Sequence, residues 1–288
     1  MLRPHRSRRS GPEHLLRNVA RTLASVACCL VPLMAAAGEV DDVPLHALRA
    51  AVRISDGKRS GTGFIVRLPN AGGVADHLLV SAAHVFENGK ASTCTVAFRT
   101  AGGPAESFRR DVTVTLRDGE RPLWQRHPAA DVAVIAVQPP NDADLEPFSV
   151  EQLADRERLE AGVVRAGKRV WIACFPAQLE ANKAGWPILR HGTIATHPLV
   201  PIDDVPTLLI DYSHFGGDSG SAAVLDDAGR PVVVGVVVSM QRQTDRTTSP
   251  FEERTTHTPL DLAITVQAAL VRDTIEAWQK DQNATAAP

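Results

Sequence analysis

The sequence predicts an all-β protein built from two six-stranded antiparallel β-barrels and a carboxy-terminal α-helix. Three observations carry that expectation. Short runs of alternating or β-branched residues recur from Leu48 onward, each bounded by Gly, Pro, Asn or Asp. The chain holds 20 Gly and 20 Pro, a turn-rich composition with little room for long helical periodicities. The runs also fall into two groups of six around a charged, proline-marked segment, which suits two small barrels better than one parallel sheet.

The first 37 residues differ from the rest. Arg3, Arg6, Arg8, Arg9, Arg17 and Arg21 stand against one acid, Glu13, and precede an apolar run over residues 23–31. A basic region, a short apolar core and the ending Ala35-Ala36-Ala37 describe a secretory signal peptide cut after Ala37. The core is shorter than the roughly 20 residues that span a bilayer, and Pro32 interrupts it. The expectation is therefore export to the periplasm or outside the cell, with no stable membrane anchor after cleavage. Arg8-Arg9 lies too far from the apolar core for a twin-arginine signal.

Removing this segment leaves 25 basic against 32 acidic side chains, a formal charge of −7 in place of −2 for the whole chain. No basic patch suited to nucleic acid remains. Of four cysteines, Cys28 and Cys29 leave with the signal. Cys94 and Cys174 remain in strand-like runs, where two buried free thiols are expected more than a bridge. There is no Cys-x-x-Cys, and His46, His77, His127, His191 and His197 show no ligand spacing, so no metal is expected. Nothing calls for a cofactor.

Residues 38–140 read as the first barrel, with strands near 49–55, 61–68, 77–81, 93–99, 111–117 and 131–137. Residues 141–160, opening just after Pro139-Pro140 and carrying a charged stretch over 151–160, read as a linker with a short surface helix. Residues 161–260 hold the second group of strands, near 168–175, 188–195, 206–211, 221–226, 231–240 and 255–259. Residues 261–288 form a helix and tail. There Leu262, Val266, Leu270, Ile275 and Trp278 share one helical face, and the end from Asp281 is expected to fray.

Chemistry concentrates in Phe215-Gly216-Gly217-Asp218-Ser219-Gly220-Ser221, which follows the strand-like run at 207–212. Glycines leave backbone N–H groups bare beside a single serine, as a nucleophile with neighbouring oxyanion donors requires. A plain turn between two strands fits the same letters. His84 follows the apolar strand His77-Leu78-Leu79-Val80-Ser81, and Asp131 heads the apolar run 132–137. Taken singly, each has an ordinary structural reading. Together they supply what reaction at a carbonyl needs: nucleophile, base, and an acceptor that fixes the base's tautomer. The order His84, Asp131, Ser219 excludes the Ser-Asp-His order of an α/β-hydrolase, and Ser221 takes the place of the last glycine of its elbow. Asp111 and Asp118 are rival third members, but both sit beside turns without a long apolar strand behind them.

Ala82-Ala83-His84, Asp131-Val132-Ala133-Val134 and Gly217-Asp218-Ser219-Gly220-Ser221 resemble the three motifs of the chymotrypsin-like (trypsin-fold) serine proteases. Gly61-Thr62-Gly63-Phe64, Phe175-Pro176 and Arg190-His191-Gly192-Thr193-Ile194 resemble bacterial members, and the likeness runs over residues 48–260. The resemblance implies two barrels with the site between them, protein or peptide as substrate, Ser219 as nucleophile, His84 as base and Asp131 as its orienting acid. It also implies an oxyanion hole from the backbone N–H groups of Gly217 and Ser219.

The chain departs from the family in several places. Val85 and Phe215 stand where many animal members carry half-cystines. Signal cleavage would expose Gly38-Glu39-Val40, not the Ile-Val terminus that pairs with the acid beside the serine in zymogen-activated members. Asp218 therefore needs an internal cationic partner or a differently trimmed terminus. By similarity Ser213 lies at the floor of the primary pocket and Val238, Ser239 and Met240 line its edge strand, so a trypsin-like preference for Lys or Arg is disfavoured. His214 or His257 is a candidate for binding an acidic side chain, against the plainer reading of both as surface histidines. The expected function is an exported serine endopeptidase, with a catalytically silent binding protein and an esterase using the same triad as rivals. Natural substrate and oligomeric state are not written in the sequence.

Overall fold

The first group of strands builds one eight-stranded sheet, not a ring closed by hydrogen bonds. The computed structural model describes residues 42–69, 76–87, 91–103, 106–249 and 251–286, so the expected signal segment lies outside the described residues. A helix over Val43–Ala50 comes first. The Asp42 carboxylate caps it by accepting the Leu45 N–H at 3.1 Å, and Pro44 sits in its first turn. Then follow β1 (Ala51–Ser55), β2 (Ser60–Arg67), β3 (His77–Ser81), β4 (Thr93–Gly103) and β5 (Glu106–Thr115). The chain next spends β6 (Arg117–Asp118) and β7 (Arg121–Pro122) on a separate two-stranded turn. After β8 (Gln125–Arg126) and β9 (Ala133–Ala136) the sheet order is β5-β4-β1-β2-β3-β9-β8, with β10 (Phe148–Ser149) beside β2.

Among the described residues no pairing joins β5 to β8. The closure expected of the first group is therefore not shown by these pairings, and the cause is local. Asp118-Gly119 turns the chain, Pro122 cannot donate to a ladder, and β8 is only two residues long.

The second group does close, as the barrel β11-β12-β13-β16-β15-β14 formed by β11 (Arg169–Cys174), β12 (Ile188–Ile194), β13 (Thr207–Asp211), β14 (Ala222–Asp227), β15 (Arg230–Thr248) and β16 (Glu253–Gln267). β15 and β16 run past the barrel as an exposed ribbon, paired from Arg242↔Pro259 to Thr248↔Glu253. The helix begins at Ala268, not near 261, and continues to Ala286 where fraying was expected. Leu262 and Val266 belong to β16, because a spacing of four satisfies a strand as well as a helix. Ile264, Thr265 and Val266 are β-branched and settle the choice. Leu270, Ile275 and Trp278 are buried on the helix as the pattern indicated.

β2 and β3 are covered on both faces, and this matters for the site. Ile65 and Leu79 face a core with Val52, Phe86 and Phe98. Phe64, Val66, Leu78 and Val80 face a second core that continues through Val170, Ile172 and Val236 of the closed barrel. The two halves thus share one apolar interior. Cys94 and Cys174 are buried and unbridged, and burial pushes each thiol up to about 12.

Candidate active site

His84 lies in the short helix Ala83–Glu87 directly after β3, so packing of β3 fixes where its ring starts. Asp131 sits at the end of a tight loop. The His127 Nδ1 accepts the N–H groups of Ala129 and Ala130 at 3.2 and 3.0 Å, and His127 N–H donates to the Val132 carbonyl. That loop presents both carboxylate oxygens to one residue: Oδ1 accepts the His84 backbone N–H at 3.0 Å, and Oδ2 meets His84 Nδ1 at 2.7 Å. A carboxylate only accepts, so Nδ1 carries a proton, and in the neutral ring Nε2 is the nitrogen with the lone pair. Burial works against the Asp131 charge, but the His84 hydrogen bonds and nearby Arg126 outweigh it and hold the carboxyl below its usual range. Asp111 instead binds Arg109 Nε at 2.7 Å, and Asp118 lies in the β6 turn, so the structure brings neither rival to His84.

Ser219 lies across a cleft of about 600 Å³ that His84, Ser219 and Gly217 all line. Its hydroxyl donates to the Val238 carbonyl at 3.1 Å, and no hydrogen bond joins it to His84.

The backbone around Ser219 is pinned one peptide unit at a time. The Gly216 carbonyl accepts the Ala177 N–H at 2.7 Å. The Gly217 carbonyl accepts the Thr62 hydroxyl at 2.7 Å. The Asp218 carbonyl takes both the N–H and the hydroxyl of Ser221, at 3.0 and 2.6 Å. The Ser219 carbonyl accepts the Thr62 N–H at 2.9 Å. Asp218 and Gly220 donate their own N–H groups to the Phe215 and Val237 carbonyls. Among the described residues this leaves the N–H groups of Gly217 and Ser219 without acceptors. Gly217 holds φ +102°, and a Cβ there would meet the Phe175 carbonyl oxygen at 2.3 Å, so glycine is required.

Asp218 is fully buried beneath this loop. Its Oδ2 accepts the Tyr212 hydroxyl at 2.8 Å and the Phe215 N–H at 2.9 Å, and lies 3.4 Å from Arg190 Nη1. Arg190 in turn lies over the rings of Tyr212 and Phe215, at 4.3 and 5.4 Å. Asp218 thus has an internal cationic partner, Arg190 on β12, one of the two alternatives the sequence left open. The segment after β11, which supplies the Ala177 N–H, is tied to the first half. Glu180 accepts from Arg53 at 2.8 Å and Arg109 at 2.6 Å, and Arg99 lies 4.8 Å over Trp186.

The five residues expected to form the primary pocket do not line the 600 Å³ cleft. Ser213 and Met240 are half-buried, Val238 and His214 buried, and Ser239 exposed. Burial pushes the His214 imidazole down toward neutrality against the pull of Asp218, and neither ring nitrogen has a partner. His257 sits out on the exposed ribbon against the Thr244 hydroxyl at 2.8 Å. Thr62, Ala177, Ser221 and Arg190 are the positions with site contacts that sequence reasoning gave no role. Only the flanking glycines of Thr62 and the short distance of Ser221 from Ser219 hinted at two of them. Among the described residues, no cluster of His, Cys, Asp and Glu is arranged to hold a metal ion.

A closed antiparallel barrel, a sheet packed against it and a His–Asp pair facing a glycine-flanked serine define a protein of the trypsin-like class. Residues 61–236, more than half of the chain, match the trypsin-like peptidase domain, and the chain belongs to that family. Similar solved structures include a serine-to-alanine mutant of Rv3671c from M. tuberculosis H37Rv in its inactive form, 18% identical with TM-score 0.46 over 86% of this chain and 93% of that one. The Rv3671c protease in its inactive form is also 18% identical, with TM-score 0.44 over 82% and 92% of the two chains. No curated protein matches.

Proposed function

We propose that this chain is an exported serine endopeptidase working through His84, Asp131 and Ser219. One observation carries the reading most: the Asp131-oriented His84 lines the same cleft as Gly217 and Ser219, the two loop residues whose N–H groups have no acceptor among the described residues. In this proposal the Ser219 hydroxyl turns from the Val238 carbonyl toward His84 Nε2 as peptide binds, since such contacts tighten only in the substrate complex. Ser219 Oγ attacks the carbonyl carbon, and His84 takes its proton. The oxyanion is received by the Gly217 and Ser219 N–H groups, and His84 then protonates the leaving amine. Water repeats the sequence to release the acid. Ser213, His214, Val238, Ser239 and Met240 are assigned to the acyl side of the scissile bond. Two closed barrels remain the family architecture proposed for the chain, and residues 1–37 the signal that exports it.

The contact of Ser219 with Val238 favours a second reading, a trypsin-fold binding protein whose serine never engages the imidazole. A fluorophosphonate probe separates the two. Labelling of the wild type but not of Ser219→Ala is expected. A folded wild type that stays unlabelled and cleaves no peptide sinks the peptidase reading, and ester turnover without amide turnover leaves the esterase.

A further inference from the structure

Thr62 is completely buried, yet its N–H, hydroxyl and carbonyl are all hydrogen-bonded, and two of its bonds go to the serine loop itself. Its N–H donates to the Ser219 carbonyl at 2.9 Å and its hydroxyl to the Gly217 carbonyl at 2.7 Å. The same Oγ1 accepts the Phe175 N–H at 3.2 Å, and its carbonyl accepts the buried Ser81 hydroxyl at 2.7 Å. Flanking glycines allow the approach. A Cβ on Gly61 would meet Val85 at 2.8 Å, and one on Gly220, at φ +93°, would meet the Thr62 carbonyl oxygen at 1.9 Å.

The two bonds fall on alternate peptide units. Gly217 and Ser219 point their N–H groups into the cleft only while the peptide units around them keep their planes. Ala177 and Ser221 hold the two units that contain those donors. Thr62 holds the unit between them, through Gly217, and the unit after, through Ser219. Without its hydroxyl, the Gly217 carbonyl loses this bond, Phe175 N–H loses its acceptor, and rotation of the central unit becomes cheaper.

We propose that Thr62 is a positioning residue whose side chain, reaching from the first sheet into the second barrel, orients the backbone donors of Gly217 and Ser219 toward the oxyanion. The inference rests on the peptidase reading above. The comparison is of wild type, Thr62→Val, which removes the hydroxyl at the same shape, and Thr62→Ser, which keeps it. Peptide turnover is measured together with affinity for a peptide aldehyde, whose hemiacetal oxygen occupies the oxyanion position.

Loss of one oxyanion donor lowers kcat by about 100- to 1,000-fold in related chemistry, so loss of its orientation is expected to lower kcat about 10- to 100-fold. KM should stay within about twofold, since ground-state binding is not the target. Aldehyde affinity should fall in parallel with kcat, and Thr62→Ser should restore both to within about threefold of wild type. Should the valine variant not fold, Thr62→Ala against Thr62→Ser gives the same comparison with less bulk. An active wild type whose folded Thr62→Val keeps its kcat and aldehyde affinity overturns this inference alone. So does a loss confined to KM or to thermal stability. A wild type that neither cleaves peptide nor binds aldehyde overturns the peptidase reading with it.

Discussion

Replacing Arg190 with methionine keeps an unbranched stem against Tyr212 and Phe215 but strips the cation from beside Asp218. Taking one partner from a buried ion pair costs about 3–5 kcal/mol, because the remaining charge is left uncompensated. Asp218 meets that condition at 0% exposure, and its Oδ1 has no partner. Three features lower the figure here. The contact is long at 3.4 Å, the Arg190 side chain is 24% exposed, and the Tyr212 hydroxyl and Phe215 amide still donate to Oδ2. One hydrogen bond to a charged group is worth about 1.5–3 kcal/mol. We therefore expect Arg190→Met to lower unfolding free energy by about 2 kcal/mol, with an unchanged m-value in urea.

The same substitution in an Asp218→Asn background should cost about 1 kcal/mol or less, since no buried charge is left to orphan. Arg190→Lys should recover about half of the loss, restoring the charge without a planar group to lie over two rings. Activity should fall with stability, because Asp218 anchors the Phe215 N–H at the start of the serine loop. The reasoning is refuted if Arg190→Met lies within about 0.5 kcal/mol of wild type, or costs the same in both backgrounds. It is refuted equally if amino-terminal sequencing of the active form shows an obligatory cut whose new α-amine replaces Arg190.

Asp131→Asn should lower kcat about 10,000-fold with little change in KM, a magnitude carried over from the trypsin template. A pre-steady-state burst assay on an activated ester checks whether acylation is the step affected. Glu180 works against partial burial, but Arg53 and Arg109 hold its carboxyl below the usual range. A depressed folded value means that its stabilisation is complete above the unfolded pKa of about 4.3 and disappears as pH falls through the folded one. Glu180→Gln should therefore be less stable by roughly 1 kcal/mol at pH 7 in urea titrations, with the gap closing toward pH 3. The 600 Å³ cleft is lined by the buried Ile54, Phe86 and Leu116 and not by Val238, Ser239 or Met240. With those last three assigned to the acyl side in the proposed mechanism, the cleft is assigned to the leaving-group side. Peptides with a large apolar residue in the first two positions after the scissile bond should be cleaved about tenfold faster than their glycine counterparts. Competition within one peptide mixture, read by mass spectrometry, checks it, and a flat profile contradicts the assignment.

What could be read in the sequence was what is local in it. His84 and Asp131 each carry their setting in the letters beside them, a strand end and a strand start. β3 and β9 pair directly, with Ser81 opposite Ala133, so those two settings become one place. The serine loop was legible for the same reason, since its glycines follow from the close approach of neighbouring backbone. Features that depend on distant pairing were not. Arg190 reaches Asp218 from 28 residues away, and Thr62 reaches Gly217 from 155. The helix over Val43–Ala50 has local signals in Asp42 and Pro44, whereas the period-four spacing of Leu262 and Val266 serves two structures equally. Closure of the first ring depended on a two-residue β8, below what any periodicity can register.

These longer connections share a direction. The loop that carries Ser219 belongs to the closed barrel, yet Thr62 of the first sheet, its own carbonyl held by Ser81, binds the Gly217 and Ser219 carbonyls, and Arg53 and Arg109 hold the segment that supplies the Ala177 N–H. β2 can play this part because both of its faces are buried. Ile65 is anchored in one core and Phe64 and Val66 in the other, so the Thr62 backbone cannot shift toward either half without opening a cavity. The side chains that meet at the cleft come from two halves of the chain, and the frame that aligns them is the strand the two halves share.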